Sequence, residues 1–145
     1  MSDLISSFLN KKNLIAIIGA SNNQSKYGYI VLKDLITAGF ENLIPINLNE
    51  KEILGKKAYQ SLRNFHETEK KDIDVVITIV PPKITEKVVK ECHEMNVKKI
   101  WMQPGSENQT AIDFCKENGI DCIHDLCIMI KRKDFEPNSK KEKEN

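Results

Sequence analysis

Apolar residues gather in short runs separated by amphipathic stretches. Residues 14–18, 42–46, 75–80, 99–102 and 120–123 are the runs, rich in branched side chains. A strand covered on both faces reads this way, whereas a half-exposed strand alternates. Between the runs, residues 29–38 predict a helix. So do residues 84–95, where Ile84, Val88, Val89 and Cys92 keep helical spacing, and residues 107–118. Gly39 and Gly119 stand where helix-ending glycines belong. Residues 2–9 predict a leading helix, 55–58 a short edge strand and 59–65 a helical turn, with 67–72 a solvated connection. Pro81-Pro82 stops the third main strand. Strands alternating with helices predict an α/β fold, a Rossmann-like doubly wound parallel sheet in three α/β/α layers. The predicted organisation is a leading helix over 1–12, one domain over 13–130 and a disordered charged tail over 131–145. The Lys/Glu-rich tail has too little apolar surface to pack.

The most informative junction is the end of the first run. The strand breaks at Gly19-Ala20-Ser21, a polar loop runs to Gly28, and the first helix follows. A helix start offers unpaired N–H groups and a partial positive charge, and a glycine lets a phosphate approach the main chain. In a doubly wound sheet such a ligand sits beyond the C-terminal strand ends, where strand order reverses. The loops 19–28, 47–55, 81–83, 103–106 and 124–127 should gather there. The dinucleotide fingerprint is broken, because Ser21 replaces its second glycine and Gly28 lies beyond the expected spacing. Asn47 ends the second run where a ribose-binding acid would stand, and no Walker phosphate loop occurs.

Composition narrows the partners. The 145 residues carry a net charge of +1, which gives no field to recruit nucleic acid or an acidic membrane. No apolar run approaches a membrane span, and the N-terminus lacks the pattern of a signal peptide. A cytoplasmic location is expected. No pair of the four cysteines has Cys-x-x-Cys spacing, so no zinc ribbon is expected. Cys92, Cys115 and Cys122 read as packed thiols, and Trp101 as core. His124-Asp125 reads as a polar strand-end pair, with an oriented general base as the alternative.

Several motifs recur in one order: Gly19-Ala20-Ser21, Ile44-Pro45-Ile46-Asn47, Ile53-Leu54-Gly55 with Lys57-Ala58-Tyr59, Trp101-Met102-Gln103 with Gly105, and Asp125 with Cys127-Ile128. Over residues 10–130 the chain thereby resembles the stand-alone bacterial CoA-binding domain proteins, similar to the N-terminal domain of the succinyl-CoA synthetase alpha subunit. The resemblance implies a Rossmann-like fold and non-enzymatic binding of CoA or acyl-CoA. No reaction is implied. A second copy of the chain or a partner enzyme are the protein partners it admits.

It further implies that Gly19, Ala20, Ser21, Tyr27 and Gly28 line the phosphate loop, with Lys26 at a basic position. Asn47 would border the adenosine, and Val80, Pro81 and Pro82 would flank the ligand. Gln103 and Gly105 would line the pocket toward the pantetheine arm. Cys127 would either meet the CoA thiol there or be a packed thiol. The family pattern has Asn-Pro-Lys and Asp-Arg-Cys where this chain has Asn47-Leu48-Asn49 and Asp125-Leu126-Cys127. Two phosphate-binding cations are thus replaced, with Lys51, Lys56 and Lys83 as candidate substitutes. An NAD(P)-binding oxidoreductase or redox domain, and an interaction scaffold with a degenerate nucleotide pocket, are the alternatives.

Overall fold

A computed structural model describes residues 2–136. Five parallel strands form the main sheet in the order β2-β1-β5-β6-β7, comprising β1 (Ile15–Ile18), β2 (Leu43–Ile46), β5 (Val75–Thr78), β6 (Lys99–Met102) and β7 (Asp121–Ile123). β1 pairs on one side with β2 (Ile15 with Leu43) and on the other with β5 (Ile15 with Val75). After β2 the chain therefore crosses back over β1, and the strand order reverses between β1 and β5. This is the doubly wound α/β architecture that the apolar runs predict.

Alternation along each strand sends side chains to opposite faces. Ile15, Ile17, Val75, Ile77 and Trp101 join one core layer with α1 (Ser2–Phe8), α2 (Tyr27–Thr37) and α6 (Ile128–Lys131). Ala16, Ile18, Val76, Ile100 and Met102 join the other, beneath α3 (Leu62–Glu69), α4 (Pro82–Glu94) and α5 (Gln109–Glu117). Trp101 is fully buried, and its indole N–H donates to Leu126 O at 2.9 Å. The leading helix belongs to this core. Phe8 is fully buried and meets Trp101 edge to face, with centroids 5.9 Å apart.

Four details depart from the sequence reading. Residues 55–58 are not an edge strand of the sheet. β3 (Glu52–Ile53) and β4 (Lys56–Lys57) instead form their own antiparallel hairpin, turned by Leu54 and Gly55, both at positive φ. α3 runs to Glu69 with Lys70 in the left-handed region, absorbing half of the expected connection. α4 starts at Pro82, because a proline fits the first helical position where its missing N–H has no partner to lose. Residues 132–135, expected in the disordered tail, form a 3-10 turn. The Arg132 guanidinium grips Asp34 of α2 with two bonds of 2.7 and 2.8 Å, which the tail's composition does not reveal. Lys131 ends α6, and residues 137–145 of that tail lie outside the described residues. Pro45 sits in edge strand β2, whose outer side carries an isolated bridge to Tyr59 and no continuous strand, so its missing N–H breaks no rung of the main sheet.

Candidate functional site

At the C-terminal ends of the strands, over the β1–β5 reversal, lies a cleft of about 780 Å³. That is the size of a small-molecule site. Two glycines make its floor. A Cβ on Gly19 would stand 2.2 Å from the Ile79 carbonyl oxygen, and Gly19 has φ +99°. A Cβ on Gly28 would stand 1.8 Å from the Gly19 carbonyl oxygen. Gly28 is therefore not the end of a loop but the second residue of α2, which begins two residues earlier than expected. The absence of a side chain lets the helix start flush against the β1 turn. Although the spacing differs from the dinucleotide fingerprint, Gly28 does the close-packing work of that fingerprint's last glycine.

The loop between these glycines is internally bonded. Ser21 Oγ accepts from Asn23 N at 3.0 Å, and Asn23 Oδ1 accepts from Ser25 N and Ser25 Oγ at 3.0 and 2.7 Å. Lys26 stands at the N-cap of α2 without capping it through its side chain. The first-turn N–H groups of Tyr27 and Gly28 have no intrahelical partner. α4 also points its start at the cleft, with Pro81 as an N-cap that has no side-chain cap bond. Pro81 and Ile84 line the cleft beside Ile79 and Val80, which leave the sheet after β5. Two helix starts therefore face one space and favour negative charge there.

On the β2 side the wall is Asn47, Leu48, Asn49 and Gln60. Asn47 is engaged at both ends of its amide: its Nδ2 donates to Ala20 O at 2.9 Å, while its Oδ1 accepts from Asn49 N and Glu50 N at 2.8 and 2.9 Å. Behind this wall Tyr59 N donates to Pro45 O and Asn47 N donates to Tyr59 O. The Tyr59 hydroxyl bonds Glu69. Burial, and then that carboxylate, push the phenol up to about 12. On the β6 side the wall is Pro104, Gly105 and Ser106. Ser106 Oγ lies 2.9 to 3.0 Å from Thr78 Oγ1, Thr78 O and Gln103 O, knotting the ends of β5 and β6.

Of the residues expected at the site, Gly19, Ala20, Ser21, Lys26, Tyr27, Gly28, Asn47, Val80, Pro81 and Gly105 line the cleft. Pro82, Gln103 and Cys127 do not. Pro82 is drawn into α4. The Gln103 side chain is buried, accepting from Ile128 N at 2.7 Å and reaching Cys127 Sγ at 3.5 Å. It ties β6 to the start of α6, and Cys127 sits behind it. The 124–127 loop is thus the one β-end loop that stays out of the cleft. His124 Nδ1 and Asp125 Oδ2 are 2.5 Å apart in that loop, away from the cleft. The sequence reading missed Leu48, Asn49 and Gln60, and it also missed Ile79, Ile84 and Ser106. All but Gln60, Ile79 and Ile84 fall in loops that the strand pattern had placed at this edge.

Lys26 is the one lysine or arginine lining the cleft among the described residues. Lys56 Nζ donates to Glu41 O at 3.0 Å, and Lys83, whose Nζ lies 3.5 Å from Glu86, is exposed outside the cleft lining. The deeper thiols are packed. Burial pushes Cys92 up. The neighbouring Cys122 and burial push Cys115 up, and Cys122 Sγ donates to Met102 Sδ at 3.8 Å. Among the described residues no group of histidine, cysteine, aspartate or glutamate could hold a metal ion, and no helix is long and apolar enough to cross a membrane.

Known proteins share this fold. The chain is 35% identical over 110 residues to the alpha subunit of an ADP-forming acetate–CoA ligase of Pyrococcus furiosus, covering 76% of this chain and 23% of that one. It is 32% identical over 126 residues to the uncharacterized protein YneT of Bacillus subtilis, covering 87% and 90%. The chain thus spans about a quarter of the ligase subunit's length. A conserved hypothetical protein from Pyrococcus furiosus superposes with a TM-score of 0.75 at 43% identity, covering 82% of this chain and 98% of that one. A hypothetical protein from Pyrococcus horikoshii OT3 does so with a TM-score of 0.82 at 28% identity, covering 92% and 91%. The family model described as a CoA binding domain matches residues 13–133, the residues that build the sheet and all walls of the cleft, and the chain belongs to that CoA-binding domain family.

Proposed function

We propose that the chain binds CoA or an acyl-CoA, without catalysing a reaction, in the cleft over the β1–β5 reversal. The observation that carries this reading is the junction of Gly19 with Gly28. It packs an uncapped eleven-residue helix start against a cleft that a second uncapped helix also faces. In this reading the N–H groups of Tyr27 and Gly28, with Lys26, hold the diphosphate. The adenosine lies toward Asn47, Leu48 and Gln60. The pantetheine arm runs past Val80 and Pro81 toward Gly105 and Ser106. Membership of the family supports it, and so does the ligase subunit's name. The four cysteines are unpaired, in keeping with a reducing cytoplasm. A partner enzyme acting on the bound thioester is the role this reading gives to other proteins.

Asn47 argues against a dinucleotide. Its Oδ1 already accepts two backbone N–H groups, so the side chain has little acceptor capacity to offer a ribose diol. Calorimetric titration with CoA, dephospho-CoA and NADH tests the proposal. CoA should bind with micromolar or better affinity and NADH far more weakly. NADH binding as tight as CoA binding would overturn it.

A further inference from the structure

The ligand loop is held from outside by two asparagine amides, both far away in sequence or facing a far segment. Asn47 Nδ2 donates to Ala20 O at the root of the loop, across 27 residues. Asn22 Nδ2, within the loop, donates to Glu52 O at the start of the β3–β4 hairpin, 3.1 Å away and 30 residues on. These bonds tie the segment 20–22 to the segment 47–52, on one side of the cleft. The same Asn47 shapes its own loop by accepting from Asn49 N and Glu50 N. One side chain therefore fixes both loops and their spacing.

We propose that Asn47 and Asn22 are positioning residues: together they clasp the 19–28 loop in the form that receives the ligand's phosphates. Affinity rises because the loop is ordered before the ligand arrives, without either amide touching phosphate. The requirement is for a donor. An aspartate at 47 keeps both acceptor bonds within the 47–50 turn but meets the Ala20 carbonyl with a second acceptor. It removes the clasp and spares the turn. The ligand's identity rests on the reading of the cleft as a CoA site, but the clasp itself can be read in the free protein.

The experiment compares the full chain with Asn47→Asp and Asn22→Ala. Hydrogen exchange is followed in the free proteins, and CoA affinity is measured in 0.05 M and 0.5 M NaCl. Amides of residues 21–27 should exchange several-fold faster in both variants, while peptides covering β5 and β6 exchange as in the parent. CoA affinity should fall by about tenfold for Asn47→Asp, the order of one hydrogen bond, and by less for exposed Asn22→Ala. The loss should be equal at both salt concentrations. A loss of CoA affinity in Asn47→Asp without faster loop exchange in the free variant would assign the effect to charge repulsion and overturn the clasp at that residue. Unchanged loop exchange in both variants would overturn the proposal outright. Faster loop exchange in the two variants, with a parent protein that fails to bind CoA, would leave the clasp standing and overturn the CoA reading instead.

Discussion

Gly28 and Gly55 look equivalent in the sequence and differ in what surrounds them. A methyl group at Gly28 meets the backbone of Gly19 at 1.8 Å, where neither partner has a flexible side chain to move. Gly28→Ala should lower stability by about 3 kcal/mol or more, at the upper end of overpacking effects, and should weaken ligand binding. At Gly55 there is nothing within 4 Å, and only the positive φ of 77° resists a side chain. Gly55→Ala should lower stability by about 1–2 kcal/mol, the strain of a left-handed residue. Urea unfolding midpoints of the two variants check this order. Lys26 is exposed and holds no core, so Lys26→Ala should leave those midpoints unchanged while weakening CoA binding about tenfold by titration. Gly19 and Ser21 were legible in the sequence because a strand break names them directly, and Lys26 because it stands at a basic position of the family the chain resembles. Gly28 was visible as a glycine but not as a helix residue, since only the folded turn shows its contact with Gly19. Gln103 and Cys127 were misplaced because a loop's position along a strand edge does not say which way its side chains turn. The buried Gln103 amide turns toward α6.

Between elements, polar contacts carry what the apolar pattern cannot announce. The Arg132–Asp34 pair joins the last turn to α2 with both side chains mostly buried. Removing one partner leaves the other charge short of bonds, so Arg132→Ala should destabilise the fold by about 1–3 kcal/mol in urea unfolding. The Tyr59–Glu69 bond joins the β2 edge to the end of α3. Its phenol is raised from 10.0 to about 12 in the folded protein. Below pH 10 both folded and unfolded forms keep the proton, and the contribution is complete. Between about 10 and 12 the unfolded chain releases it first, so stability falls as pH rises through that window. Tyr59→Phe should flatten the alkaline limb of a stability–pH profile. Neither contact was foreseen. Arg132 and Asp34 lie 98 residues apart, and nothing local in a Lys/Glu-rich stretch marks one arginine as buried.

At the scale of the molecule, the strand runs, their parallel direction and the sheet edge that carries the cleft could all be read before any coordinate. Unbroken apolar runs demand cover on both faces, and that demand leaves few topologies. The crossing of the chain from β2 back to β5 is then the step that opens the cleft. The electrostatics of that cleft are modest. The net charge is +1, and Lys26 is the one cation lining it among the described residues. In the proposed CoA site, backbone N–H groups and two helix starts would supply most of the attraction for phosphate, acting at contact distance. Salt screens charges beyond about 10 Å at 0.1 M but has far less effect on groups in contact with a partly enclosed ligand. Raising NaCl from 0.05 to 0.5 M should therefore weaken CoA binding by less than about tenfold, and Lys26→Ala should make the dependence shallower still. A steep loss of affinity with salt would show that distant lysines hold the phosphates. Lys51 and Lys83 would then be the residues to replace, and the two helix starts would be secondary to them.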